Sequence, residues 1–313
     1  MFSIIHEDFF GVEKIKLVNS ITGEYVSVIP LFGGNLNELI LLKHGVLYTI
    51  IDGDKTLDSL KGNTTNFYRG AKLSPFPNRI NKGRYQFNEA IYELERNDGL
   101  HALHGLLWNR PLFIKDQRPS ENSAQLLLSA DIESLHEGFP FNYRIEIEYF
   151  LDAKQFSCST KIINTSAVDL PIGDGWHPYF TTGTNINQLK LKLPQSRLLQ
   201  MDNGIPTGVY LPNDLYQTPS PIQHTDLDHC FEISAADIVE THIMDEEKDI
   251  TIVLWQRAGN KGYQFIQIYT PPDRNSIAIE PMTCAPDAFN NKKGLIVLFP
   301  DEQIVFDFGL KLE

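Results

Sequence analysis

Tyr143-Arg144-Ile145-Glu146-Ile147-Glu148-Tyr149-Phe150-Leu151 alternates apolar side chains with mostly charged ones. A period of two marks a strand with one face on a core and the other in water, so Tyr143, Ile145, Ile147, Tyr149 and Leu151 share a buried face. Leu189–Leu193 alternates Leu with Lys in the same way. Short β-branched or aromatic runs recur at Tyr25–Ile29, Arg84–Phe87, Phe156–Ile163, Ile250–Trp255, Phe265–Thr270, Ile277–Ile279, Gly294–Phe299 and Ile304–Leu312. Turn formers separate them, among them Thr22-Gly23, Asn97-Asp98-Gly99, Asp202-Asn203-Gly204 and Pro271-Pro272-Asp273. Apolar positions at helical spacing are not sustained beyond two turns, which excludes long helices and the βαβ folds built on them. The pattern predicts an all-β chain folded as a large twisted antiparallel β-sandwich. No repeat or flexible linker divides residues 1–313, so they read as one domain, with Thr181–Asn187 and Asn213–Asp226 as long surface loops.

The 313 residues carry 27 Lys+Arg against 40 Asp+Glu, a net charge of −13, with 42% apolar residues. That is the composition of a globular protein rather than a disordered one. The acidic balance argues against a nucleic-acid surface, which needs clustered Lys and Arg. The apolar runs are far too short to span a bilayer, so no membrane partner is expected. Met1–Lys14 lacks the basic head and long apolar segment of a secretion signal. Three cysteines, Cys158, Cys230 and Cys284, are an odd number with no CxxC spacing. Free thiols in a reducing compartment follow, and the cytoplasm is the expected location.

Sites on β scaffolds sit in loops and at strand ends, and five places there combine polar residues with apolar or turn-rich surroundings. In Ser74-Pro75-Phe76-Pro77-Asn78-Arg79, two prolines stiffen the approach to an arginine whose planar fork suits hydroxyls or a carboxylate. A surface Arg after a turn is the plainer explanation. In His101-Ala102-Leu103-His104-Gly105 an extended backbone sends the two histidines to opposite faces, so one of them at most reaches a given cleft. No helix and no third ligand accompany them, so no metal is expected. Gly173-Asp174-Gly175-Trp176-His177-Pro178-Tyr179-Phe180 sets an imidazole among aromatic rings, where it is poised for proton transfer or buried in an aromatic corner. Trp176 reads as a wall of the site, since an aromatic face suits the C–H face of a sugar. Asp226 and Asp228 enter a strand as an acidic cluster or as turn caps. Glu280 closes the apolar run Ile277–Ile279, where a charge is costly unless hydrogen-bonded or functional. No GxGxxG, P-loop or GxSxG motif is present, so no cofactor is expected and serine or cysteine hydrolysis is disfavoured.

Taken in order, Pro77-Asn78-Arg79-Ile80, Leu103-His104-Gly105, His177-Pro178-Tyr179-Phe180, Asp228-His229-Cys230-Phe231, Gln267-Ile268-Tyr269-Thr270 and Glu280-Pro281 with Pro286-Asp287-Ala288-Phe289-Asn290 resemble the aldose 1-epimerase (galactose mutarotase) family. The resemblance implies a galactose mutarotase-like β-sandwich and a metal-free isomerase that interconverts the α and β anomers of a free aldohexose such as glucose or galactose. It carries Glu280 over as catalytic base and His177 as acid. His104 and Arg79 would contact the ring oxygen or neighbouring hydroxyls, and Asp228 and Gln267 would bind sugar hydroxyls. Asn78, next to Arg79 in the same motif, joins the expected binding set. Leu106 stands where many members have a second Gly, Thr181 where Asn is common, Met282 where many have Gln, and Asp301 where Gly is frequent. These departures flank the site and leave the choice of sugar open. A hexose 6-phosphate mutarotase is the near alternative, with Arg69, Lys72, Arg84 and Arg110 as candidate phosphate contacts. A carbohydrate-binding protein without activity is the other, and retention of both His177 and Glu280 speaks against it.

Overall fold

The computed structural model describes residues 1–62, 68–212, 215–234 and 237–313. Tyr143–Asp152 is a strand whose residues alternate between buried and half-buried along its whole length. Its neighbours Ser123–Ile132 and Phe156–Asn164 alternate likewise. On the outer face Lys161 Nζ lies 3.8 Å from Glu146, and Lys115 also pairs with Glu146. On the inner face Ile145, Ile147, Tyr149 and Leu151 have no solvent exposure.

These strands belong to a nine-stranded antiparallel sheet that runs from Phe113–Pro119 through Gln303–Leu312 and Ile250–Arg257 to Ser220–Pro221. A thirteen-stranded sheet faces it. One wing of that larger sheet is a meander of Phe2–Phe9, Val12–Asn19, Tyr25–Ile29, Asn35–Lys43 and Val46–Ile51. Its centre is Tyr179–Phe180, Ile277–Met282, Phe265–Tyr269 and Asp228–Ile233, with Gly175–His177 bridging Ile277–Met282 to Ala71–Leu73. Side chains from the two sheets, such as Leu17, Val28 and Leu36 from one and Ile147, Phe306 and Phe308 from the other, form one hydrophobic cluster. The all-β sandwich expected from the period-two pattern is present. Among the described residues its α-helices are two four-residue turns, Leu57–Leu60 and Ala288–Asn291. Among the described residues no helix is long and apolar enough to cross a membrane.

The two segments expected as surface loops are more firmly anchored than their polarity suggests. Thr181, Thr182 and Ile186 are buried, and so are Tyr216 and Ile222; positions 213 and 214 lie outside the described residues. Each polar stretch hides an apolar anchor, and the Thr182 hydroxyl donates to Asp245 at 2.7 Å.

Between the sheets lies a buried ion pair. Lys72 Nζ donates to Asp174 Oδ2 at 2.5 Å and to Thr160 Oγ1 at 2.9 Å, with both charged side chains fully enclosed. The Tyr263 hydroxyl donates to the same carboxylate oxygen at 3.0 Å, and the ammonium sits 4.5 Å from the centre of the Trp176 ring. A lone charge left in such a place costs several kcal/mol, whereas removing both partners together is often tolerated. Lys72→Met should therefore lower unfolding stability by about 3–5 kcal/mol. Lys72→Met combined with Asp174→Leu should recover at least half of that loss in urea denaturation followed by circular dichroism. A double variant no more stable than the single one would show that the pair contributes more than mutual neutralisation.

Candidate active site

The larger sheet carries a cleft over its central strands. In Gly175–His177 neighbouring side chains point to opposite faces: His177 faces the cleft and Trp176 faces the interior. Trp176 is fully buried, with Tyr149 and Phe308 packed against it at ring separations of 6.2 and 6.0 Å. Its expected place as a wall of the site is therefore corrected, and strand parity with His177 is the reason.

Ile277–Met282 delivers Glu280 from a strand buried at every position. Gln267 is its partner on the adjacent strand Phe265–Tyr269, and Asp228 begins the next strand opposite Tyr269. Asn78 and His104 come from loops and hold each other. The His104 amide donates to the Asn78 carbonyl at 2.9 Å, and the Asn78 amide donates to His104 Nδ1 at 3.3 Å. Both residues take positive φ, 56° and 61°, an uncommon conformation that a surrounding structure must enforce. Gly105 lets that loop close: a Cβ there would lie 2.4 Å from the Ser74 carbonyl oxygen. His101, the other histidine of this segment, instead accepts from the Lys82 amide and does not line the cleft.

The result is a cavity of about 440 Å³. His177 Nε2 lies 3.3 Å from Glu280 Oε1 at its floor, where the two residues are 4% and 1% exposed. Glu280 Oε2 has no partner in the protein. From the floor a polar chain leads outward. Asn78 Nδ2 donates to Gln267 Oε1 at 3.3 Å, and Gln267 Nε2 donates to Asp228 Oδ1 at 2.6 Å, where Asp228 is exposed at the mouth. Arg79 reaches the cleft with Nε donating to Asp98 at 2.7 Å. The cleft therefore gathers Glu280, His177, His104, Arg79, Asp228, Gln267 and Asn78. Leu103, Tyr179 and Tyr269, neighbours of site residues in the quoted motifs, also line it, as do Gly62, Tyr68, Asn97, Asp98 and Trp108, which were not proposed as site residues. Of the latter, Asn97 and Asp98 were marked in the sequence only as a turn signal, and Gly62, Tyr68 and Trp108 carried none. Tyr179 stacks on His177, with ring centres 5.0 Å apart and planes 8° apart, and the Arg69 guanidinium covers the Tyr179 ring at 4.5 Å.

Burial controls the charges. It pushes the Glu280 carboxyl well above the usual carboxylate range, and the Asp228 charge pushes in the same direction. It draws His177 down to about 3, with the Arg69 charge adding to the effect. His104 is also drawn well down, by burial and then by its His177 and Arg79 neighbours. Burial therefore disfavours the charged form of both groups, the Glu280 carboxylate and the His177 imidazolium alike.

His104, His177 and Glu280 could also hold a divalent metal, since one donor atom from each lies within 4.8 Å of the others. The hydrogen bonding of His104 works against this. With Nδ1 accepting from Asn78, its proton belongs on Nε2, which makes Nε2 a donor to a ligand oxygen and not a lone pair for a metal.

The all-β sandwich, with the buried His177–Glu280 contact at the floor of a hydrophilic cleft, has the fold of the galactose mutarotase-like proteins. A galactose mutarotase-like protein from Clostridium acetobutylicum superposes with a TM-score of 0.85 at 20% identity, covering 100% of this chain and 98% of that one. A galactose 1-epimerase from Lactobacillus acidophilus NCFM superposes with a TM-score of 0.82 at 17% identity, covering 100% and 98%. Residues 14–311 match the aldose 1-epimerase family, and the chain belongs to it. The uncharacterized protein YihR of Escherichia coli K12 is 29% identical over 240 residues, 73% of this chain and 74% of its own length. A second uncharacterized protein of the same strain, YphB, is 26% identical over 261 residues, 77% and 82% of the two chains.

The lowered histidines make stability depend on acid in a defined direction. Below about pH 6.5 the unfolded chain takes up a proton at His177 that the folded chain refuses until pH nears 3, so stability falls as pH falls. Between neutrality and about pH 5 this contribution is on the order of 2 kcal/mol. His177→Asn should show a correspondingly shallower loss when urea midpoints are compared at the two pH values; identical losses would mean that His177 titrates normally in the fold.

Proposed function

We propose that the protein is an aldose 1-epimerase acting on a free, uncharged aldohexose such as glucose or galactose, with Glu280 as base and His177 as acid. The observation that carries this reading is the enclosed His177–Glu280 contact of 3.3 Å at the floor of a cleft rich in hydrogen-bonding side chains, among them Asn78, Asn97, His104 and Gln267.

Opening a hemiacetal removes a proton from the C1 hydroxyl and adds one to the ring oxygen. Closing it on the other face of the aldehyde, after rotation about C1–C2, does the reverse. Opening starts once the shared proton has passed from Glu280 to His177 across their 3.3 Å contact: Glu280 then takes the C1 hydroxyl proton while His177 Nε2 gives its proton to the ring oxygen. Opening therefore leaves Glu280 protonated and His177 neutral, the uncharged forms that burial favours. Closure returns a proton from Glu280 to O1 and one from the new hydroxyl to His177. One shared proton serves both halves, and no net proton enters or leaves. His104 Nε2–H supplies a hydrogen bond to a sugar oxygen, and Gln267, Asn78, Asp228 and Arg79 orient the remaining hydroxyls.

Charge favours a free sugar over a sugar phosphate. Among the described lining residues Arg79 is the only Lys or Arg, and Asp98 already holds it. Of the other cations considered, Lys72 is enclosed between the sheets, Arg69 pairs with Asp52 at 3.0 Å, and Arg84 and Arg110 do not line the cleft. Asp228 adds negative charge at the mouth.

The test is polarimetry of freshly dissolved α-D-glucose and α-D-galactose with purified protein. Wild type should speed equilibration, and the acceleration should survive chelator. Glu280→Gln and His177→Asn should each lose about 10²–10⁴-fold in kcat. Near-wild-type rates in both variants would refute the assignment, and activity lost to chelator and restored by zinc would replace it with a metal-dependent one. Glucose 6-phosphate should be used at least about tenfold less efficiently than glucose, given the Asp228 charge at the mouth and the lack of a free cation among the described lining residues.

A further inference from the structure

The imidazole of His177 lacks the anchor that ordinarily orients a proton-transferring histidine. One of its nitrogens, Nε2, lies 3.3 Å from Glu280 Oε1. The other nitrogen of such a ring usually bonds a carbonyl or carboxylate, which fixes both the tautomer and the ring plane. His177 Nδ1 is buried and has no hydrogen-bond partner among the described residues. The ring must therefore be held against rotation by something else, because a small misplacement of a reacting atom is costly.

Neighbouring planar groups hold it. On one side His104 meets the imidazole edge to face, with ring centres 5.1 Å apart. The Tyr179 ring lies nearly parallel to it, with centres 5.0 Å apart and planes 8° apart. Tyr179 is in turn covered by the Arg69 guanidinium at 4.5 Å. Imidazole, phenol and guanidinium thus follow one another in series. A guanidinium suits the end of such a series, being planar, permanently charged and able to stack on an aromatic face.

The end of the series is fastened to the sheet. Arg69 Nη1 donates to Asp52 Oδ2 at 3.0 Å and to the Asp52 carbonyl at 3.4 Å, and Lys55 Nζ lies 3.4 Å from the same carboxylate. Asn35 Nδ2 donates to the Arg69 carbonyl at 2.7 Å. Gly70 follows at φ 65°, where a Cβ would lie 2.2 Å from the Leu36 carbonyl oxygen. Its amide donates to the His177 carbonyl at 2.9 Å, and the Asp52 amide donates to the Tyr179 carbonyl at 2.9 Å. The segments that hold the guanidinium are therefore bonded to the backbones of the two residues whose rings are stacked. Neither Arg69 nor Asp52 lines the cleft.

We infer that Arg69, held by Asp52, is a positioning residue: by clamping Tyr179 it fixes the plane of the His177 imidazole, with Nε2 directed at Glu280 and at the ring oxygen of the sugar. This rests on the mutarotase reading above and adds to it two residues outside the cleft that govern how its acid is presented.

The experiment compares wild type with Arg69→Met and Asp52→Asn in glucose anomer equilibration. In Arg69→Met kcat should fall about ten- to a hundredfold, with KM changed by less than about threefold because the sugar contacts are untouched. A second readout does not depend on turnover. The imidazole C–H proton signals of His177, identified by their absence in His177→Asn, are shielded by the Tyr179 ring and should move downfield in Arg69→Met. Asp52→Asn should shift both readouts in the same direction and by less. Wild-type kcat in Arg69→Met, a loss confined to KM, or unmoved His177 signals would each overturn the inference and leave the mutarotase reading standing. If wild type accelerates neither glucose nor galactose, the mutarotase reading fails, and the His177 signals alone decide whether Arg69 holds the ring. Should Arg69→Met not fold, Asp52→Asn decides: wild-type kcat or unmoved signals there would overturn the inference.

Discussion

The Lys72–Asp174 ion pair is the constraint on which the geometry of the cleft depends. Two charges enclosed between sheets are tolerated only when hydrogen bonds surround them, and here Thr160 of the opposite sheet and Tyr263, two residues before the strand that carries Gln267, supply them. Asp174 lies three residues before His177, and Lys72 sits opposite Trp176 in the ladder with Ala71–Leu73. The Asp174 amide donates to the Thr283 hydroxyl at 2.9 Å, and the Thr283 amide donates to the Asp174 carbonyl at 2.9 Å. Thr283 in turn lies three residues after Glu280. The segments carrying His177 and Glu280 are therefore fastened to each other beside one buried charge pair, and the Trp176 ring over the ammonium closes it on the side of the strand away from the cleft. A pair held this way has few alternative positions, which is what the proposed proton transfer across the 3.3 Å His177–Glu280 contact needs.

Much of this could be read in the sequence, and the parts that could not have physical reasons. Tyr143–Leu151 declared its face because a half-buried strand writes its burial as alternation. Glu280 stood out because a charge at the end of an apolar strand demands an explanation. Trp176 was misplaced because composition alone does not say which of two neighbouring residues faces a cleft; once His177 is there, strand parity sends Trp176 inward. Lys72 read as a possible phosphate contact because its partner is 102 residues away, and nothing local marks it as enclosed. Tyr68 and Trp108 belong to no motif and meet only through tertiary packing. The polar stretches around Ile186, Tyr216 and Ile222 concealed their anchors because one apolar residue in a hydrophilic segment has no period.

The carboxylates of the cleft illustrate how position sets chemistry for one functional group. Glu280 is enclosed and holds its proton far more firmly than a free carboxyl. Asp98 is engaged by an arginine, and Asp228 stands in solvent while accepting from Gln267. Only the enclosed one is suited to exchange a proton with a neutral imidazole; the others hold and orient. The thiols follow the same rule. Cys158, Cys230 and Cys284 are all buried, and burial pushes each well above its ordinary range, so none offers a ready thiolate.

The chain of hydrogen bonds from Asn78 through Gln267 to Asp228 has a consequence for how firmly any sugar can be held. These groups are already satisfied by one another, so an arriving hydroxyl exchanges a bond instead of creating one, and the net gain per contact is small. For a reaction that merely inverts one centre, weak retention is an advantage. Substrate and product differ by a single hydroxyl orientation and their equilibrium constant is close to unity, so the forward and reverse specificity constants must nearly match. A cleft that gripped either anomer would slow its own release, and throughput in both directions would fall together.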